Sequence, residues 1–192
     1  NDLGNICHEH IEFYSLKSIK YLFEKNGMEI FKIEENDING GSYRIYCRKF
    51  INGSIKLPKE NILKLMKGFI NRVKKNRQLI TDFINKKIRE NKKIYLYGAS
   101  TKGNTVLQYY GLNNKMLPFA AERSPEKWGK YTIGTGIKII SEKMARNLKP
   151  DYFFVTPWGF IKEFIKREER WLKNGGSFIL PFPRFKLIRY NE

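Results

Sequence analysis

The sequence predicts an α/β protein: a mostly parallel sheet with short crossover helices, preceded by one helix and a β-hairpin. Three observations carry this. From residue 94 onward, apolar runs of about four residues alternate with short helical patterns, the signature of parallel strands joined by crossovers. The stretch Ile94-Tyr95-Leu96-Tyr97-Gly98-Ala99-Ser100-Thr101-Lys102-Gly103-Asn104-Thr105 passes from buried strand through a small-residue turn into a helix start. The first fifty residues carry one helical pattern and two alternating strands, too little to fold alone.

The elements follow in order. Residues 1–14 are an irregular lead-in containing Cys7-His8-Glu9-His10. Ser15 reads as an N-cap, Leu16, Ile19, Leu22 and Phe23 recur at helical spacing, and Asn26-Gly27 closes the helix. Residues 28–34 and 42–50 alternate as strands about the turn at 36–41, a connection short enough to make them antiparallel. After a linker at 51–56, a helix is expected from Leu57-Pro58 to about Glu90. At 1.5 Å per residue it is roughly 45 Å long, enough to bridge two domains. Strands are then expected at 94–97, 116–122, 137–140, 152–156 and 177–180, the last of the sheet. Helices are expected from Gly103, from the Ser141 cap to Asn147, and from after the Pro157-Trp158-Gly159 turn to Lys173. In such sheets ligands lie beyond the carboxyl ends of the strands, where the turns 98–104, 122–127, 157–159 and 181–184 converge.

Composition bounds the function. A chain of 192 residues with 41% hydrophobic and 15% aromatic residues supports a real core. Cys7 and Cys47 lie in no ligand spacing, which points to a reduced, cytoplasmic setting, and no apolar run is long enough to span a membrane. The net charge of +18 favours anionic partners. Its lysines are spread along the chain, so nucleic-acid binding ranks last among the readings.

Strand, glycine turn and helix N-terminus together suit an anion site or an ordinary tight βα turn without ligand. Gly98, Ser100, Thr101, Lys102, Gly103 and Asn104 are therefore candidate ligand residues. Asn104 stands where a P-loop needs lysine, which excludes a nucleoside triphosphatase, and Ser100 breaks the dinucleotide fingerprint. Arg123, Ser124 and Lys127 follow the next strand, where a ribose or phosphate is read. Tyr131, Pro157, Trp158 and Arg184 lie in further loops on that side. Gly40-Gly41 suits a hairpin turn or a close approach to ligand. His8-Glu9-His10 matches no zinc spacing, so no metal site is expected. A histidine flanked by a carboxylate suits general-base work instead.

Taken together, Cys7-His8-Glu9-His10-Ile11-x-Phe13-Tyr14-Ser15, Gly40-Gly41-Ser42-x-Arg44, Tyr97-Gly98-Ala99-Ser100-x-Lys102-Gly103-Asn104-Thr105, Glu122-Arg123-Ser124-Pro125-x-Lys127, Pro157-Trp158 and Gly175-Gly176 occur in one order. In this the chain resembles the S-adenosylmethionine-dependent C-methyltransferases of nucleotide-activated deoxysugars. That family joins a zinc-binding module, a class I methyltransferase domain and a Rossmann-like C-terminal domain. The resemblance implies that residues 1–50 are the end of the methyltransferase domain and 57–192 the Rossmann-like domain. It implies that the missing N-terminal portion of the same enzyme binds most of the S-adenosylmethionine. It makes His10 the base that removes a proton beside a keto group, with Glu9 assisting, and a nucleotide-diphosphate sugar the substrate of the 98–104 turn and its neighbours. Some members carry tyrosine where Cys7 stands. A stand-alone nucleotide or nucleotide-sugar binding module without catalysis is the alternative.

Overall fold

A computed structural model describes residues 2–38 and 41–190, so Asn39 and Gly40 of the anticipated hairpin turn lie outside the described residues. By packing, the chain forms two units: His8–Ile70, and Asn71–Glu192 together with Asn1–Cys7. Among the described residues, no helix is long and apolar enough to cross a membrane.

The first unit holds α1 (Leu16–Lys25), β1 (Met28–Asn36) and β2 (Ser42–Lys49). Ser15 caps α1 as expected: its hydroxyl accepts from the Ser18 N–H while Ser18 answers the Ser15 N–H. The two strands pair antiparallel from Met28↔Lys49 to Asn36↔Ser42, with a bulge between Ile30 and Lys32. Beside that hairpin, Glu29 is buried and fully used. Its carboxylate accepts from the N–H groups of Ile51 (2.9 Å), Asn52 (2.8 Å) and Gly53 (2.6 Å), and from Arg48 Nε (2.7 Å). The Ile51 N–H, aided by the Arg48 guanidinium and the other two N–H groups and opposed by burial, holds its pKa at about 2, below the 4.5 of a free carboxyl.

The folded value is the lower one, so the stability Glu29 contributes is complete above about pH 4.5 and is lost as pH falls through about 2. The urea midpoints of the wild type and Glu29→Gln should therefore differ at pH 6 and converge near pH 2. A gap that persists at pH 2 would show that the carboxylate charge is not what these donors hold.

The long helix α2 (Ile62–Arg89) starts later than the sequence suggests. The Asn61 side chain accepts from the Lys64 N–H at 3.0 Å, so Asn61 rather than Leu57-Pro58 sets the first turn. The second unit is built on six strands: β3 (Ile94–Tyr97), β4 (Phe119–Glu122), β5 (Lys138–Ser141), β6 (Tyr152–Val155), β7 (Ser177–Leu180) and β8 (Lys186–Ile188). Their order is β5-β4-β3-β6-β7-β8; the first five are parallel, and β8 is antiparallel to β7. The sheet is thus the mostly parallel, Rossmann-like arrangement expected, with one added edge strand. Phe182-Pro183 is a cis peptide in the short connection that reverses the chain into β8. β4 begins at Phe119 rather than Met116, because 113–117 closes a turn through the Asn113 carbonyl and Pro118 has no N–H to give a ladder.

Helices α3 (Thr101–Tyr110), α4 (Glu142–Asn147), α5 (Ile161–Arg167) and α6 (Glu169–Lys173) connect the strands. The 157–159 turn is part of a 3-10 turn (Trp158–Phe160), and the single helix expected from there to Lys173 is divided into α5 and α6, with the break at Glu168. Glu168 turns its carboxylate into the core. Phe153 lies at the centre of that core, fully buried, its ring 4.9 Å from Tyr97, 4.6 Å from Trp171 and 6.3 Å from Phe178. At the β5 edge, the 129–132 loop pairs with the strand: Gly129 N–H donates to the Ile139 carbonyl, and Ile139 N–H donates to that of Lys130.

Candidate functional site

The chain runs from β3 outward through β4 to β5, then returns to lay β6 on the other side of β3. The strand order therefore reverses between β3 and β6, and their carboxyl ends, Tyr97 and Val155, open a crevice of the kind that binds ligands in such sheets. A cavity of about 290 Å³ lies there, walled by the β3 and β4 turns on one side and by α5 on the other.

The β3 turn is held tightly. Ser100 caps α3, accepting from the Gly103 N–H at 3.1 Å. Gly98 has φ +85°, and a Cβ there would lie 2.8 Å from Pro157 Cγ; one on Gly103 would lie 2.5 Å from Thr156 Oγ1. Both glycines thus let the β3 turn lie flat against the β6 turn, the close strand–helix approach such folds require. Glu122, at the end of β4, ties this turn to the next. Its Oε2 accepts from the Ala99 N–H (2.9 Å), and its Oε1 from those of Arg123 (2.8 Å) and Ser124 (3.1 Å). Lys127 Nζ reaches the Ala99 carbonyl (3.1 Å) and pairs with Glu122 at 3.5 Å. Burial opposes ionisation of Glu122, yet these N–H groups and the Lys127 ammonium hold its carboxyl below the usual range.

The floor is a charged network. The Tyr97 hydroxyl is 2.8 Å from Glu168 Oε1 and 3.1 Å from Glu142 Oε1. Arg146 Nη1 donates to Glu168 Oε1 at 2.5 Å, and Arg167 Nη1 to Glu142 Oε1 at 2.8 Å. Burial is the main cause that raises both the Tyr97 phenol and the Glu168 carboxyl above their ordinary values. At the mouth, Arg123 Nη1 (3.4 Å) and Arg167 Nη2 both donate to Glu163 Oε1. Glu122, Glu142 and Glu163 thus answer Lys127, Arg167 and Arg123 among the cavity's walls. In a chain of net charge +18, the cavity itself is balanced.

Of the residues marked from sequence, Gly98, Ser100, Arg123, Lys127 and Pro157 line this cavity. Thr101, Lys102, Gly103 and Asn104 form the first turn of α3 without lining it, and Gly4 packs against the Lys102 backbone. Ser124 contributes its N–H to Glu122. Trp158 donates Nε1–H to Asp2 Oδ2 at 3.2 Å and packs on the core. Tyr131 is exposed beside β5, and Arg184 is exposed after the cis proline. His10 and Glu9 belong to the 8–70 unit, both exposed, with the His10 ring edge-on to Phe13 at 6.2 Å.

Sequence reasoning missed Glu122, Glu142, Glu163 and Arg167. Glu122 had a signal: an acidic residue at the end of the second strand, about 20 residues past the glycine turn, is the position that reads a ribose in dinucleotide folds. The other three lie on α4 and α5, where a charged residue looks like any solvated helix face.

Residues 37–183 match the family model described as C-methyltransferase C-terminal domain. The chain is also 28% identical over 200 residues to C-methyltransferase NovU of Streptomyces niveus, an alignment covering 98% of this chain and 48% of that protein. It therefore spans about half the length of the curated relative it matches. With most of its length matched and the sheet order and cavity described, the chain belongs to the C-methyltransferase C-terminal domain family.

Proposed function

We propose that this chain is the C-terminal portion of an S-adenosylmethionine-dependent C-methyltransferase acting on a nucleotide-linked keto-deoxysugar, working in the cytoplasm. The family match carries this reading, and the cavity at the β3/β6 reversal supports it as a candidate site for part of the substrate. At about 290 Å³ it is at the small end of ligand pockets, sized for one portion of a nucleotide sugar. The cofactor, which supplies the methyl group when bound, is assigned mainly to the part of the enzyme beyond this chain, as the family resemblance implies. Residues 1–50 are read as the end of the methyltransferase domain and 57–192 as the Rossmann-like domain. Among the marked residues, Arg123, Lys127 and Ser100 meet the nucleotide diphosphate from the cavity wall. Thr101, Lys102, Asn104, Trp158 and Arg184 contribute from the turns around it, while Tyr131 is bridged to Lys138 at the amino end of β5 and is not assigned to the site. His10 removes the proton from the carbon beside the keto group, Glu9 steadies the histidine, and the resulting enolate carbon accepts the methyl group.

A thermal-shift panel of nucleotide-diphosphate sugars on the complete enzyme tests this, followed by transfer of labelled methyl to the sugar that binds. A ligand at 100 times its Kd should stabilise the protein by about 2.7 kcal/mol. Stabilisation together with labelled, C-methylated sugar is the expected result. Binding with no transfer would instead favour a nucleotide-sugar binding module, and neither would end the proposal.

A further inference from the structure

The cavity's charges are not equally fixed. Of its three lining carboxylates, Glu122 and Glu142 are each 12% exposed at the side chain, whereas Glu163 is 54% exposed. Glu163 stands on α5 at the mouth, and one of its oxygens receives both Arg123 Nη1, from the turn after β4, and Arg167 Nη2, from the next turn of its own helix. Two guanidiniums from opposite walls converging on one anionic oxygen is the arrangement that recognises a phosphate. A half-exposed ion pair of this kind contributes little to stability, so exchanging its anion costs little.

From this we infer that Arg123 and Arg167 form the diphosphate subsite of the cavity, and that Glu163 occupies it as a built-in stand-in that the ligand's phosphate displaces. Arg167 is placed for this by Glu142, which holds its other Nη and is itself set by the Tyr97 hydroxyl and Arg146. A diphosphate brings more charge and more acceptor oxygens than the carboxylate and answers both arginines at once. Phosphorylated ligands are thereby selected over neutral sugars or nucleosides, which have no charge with which to dislodge Glu163. This rests on the nucleotide-sugar reading and deepens it.

The test is calorimetric titration of the full chain with inorganic pyrophosphate and with uridine diphosphate, at constant ionic strength. Glu163→Gln keeps the side chain's size and removes its charge, and should tighten both ligands by about threefold to tenfold. Arg123→Ala should weaken both, and Glu163→Gln added to it should recover less than the single change gains. Tightening is a direction that a damaged fold does not produce. Wild-type binding that Glu163→Gln leaves unchanged or weakens would overturn the stand-in while leaving the nucleotide-sugar reading intact. Binding by neither the wild type nor Glu163→Gln would overturn the diphosphate subsite, while the nucleotide-sugar reading stands or falls on the thermal-shift panel with the complete enzyme.

Discussion

Replacing His10 by alanine should lower methyl transfer by about 10²- to 10⁴-fold, the usual worth of a positioned general base. The expectation rests on chemistry and on place. Enolising a ketone needs a group that can take a proton from carbon near neutral pH, and the chain has two histidines, His8 and His10. His10 is the one between Glu9 and the Phe13 ring that meets it edge-on. The loss should fall on kcat rather than on nucleotide-sugar affinity, because a general base acts in the chemical step. His8→Ala, made in parallel, should stay within a few-fold of the wild type. Full activity in His10→Ala would remove this residue from the mechanism. An equal loss in both variants would point to the lead-in's conformation rather than to a base.

Phe153→Ala should cost about 3–5 kcal/mol of stability, the range for deleting a buried phenylalanine. Phe153 is on a central strand with none of its surface exposed, and Tyr97, Trp171 and Phe178 all meet its ring. These neighbours come from β3, α6 and β7, so the void would be bounded by elements fixed in the sheet and could collapse only partly. Against a total of about 5–15 kcal/mol for a domain, the variant would be barely folded. Urea denaturation followed by tryptophan fluorescence reads this directly, since Trp171 abuts the site. Phe160→Ala, at a ring 61% exposed, should shift the midpoint far less. Similar losses in the two variants would mean that Phe153 is not where the core is concentrated.

The sheet was legible because its strands are short, apolar and punctuated. Ile94–Tyr97 is buried at every position, as the unbroken apolar run implied, and the Ser15 and Ser141 caps stand where the pattern placed helix starts, whereas α3 starts at Thr101, ahead of the expected Gly103, because Ser100 caps it. What escaped depends on contacts distant in sequence. Nothing near Glu168 says that a helix breaks there; the break goes with a carboxylate turned in toward Tyr97, 71 positions away. β8 (Lys186–Ile188) lies beyond 177–180, which was expected to end the sheet, and pairs as a strand on the edge that β7 offers. The glycine turn was correctly located at the carboxyl end of β3, but Gly98 and Gly103 face Pro157 and Thr156, so their small size serves packing between turns. The candidate site was legible in Arg123 and Lys127 and hidden in Arg167 and in its three carboxylates, since pairing is a matter of geometry.

Neither flank of the six-stranded sheet invites a further strand. At β5 the main-chain donors and acceptors facing outward are partly taken up by the 129–132 segment. At β8 the flank is three residues long and is bracketed by Lys186 and Arg189. Short, basic or already occupied borders are how natural sheets avoid templating their own stacking. A lysine-rich protein with such borders has little means of growing ribbons from this unit, even when it is concentrated.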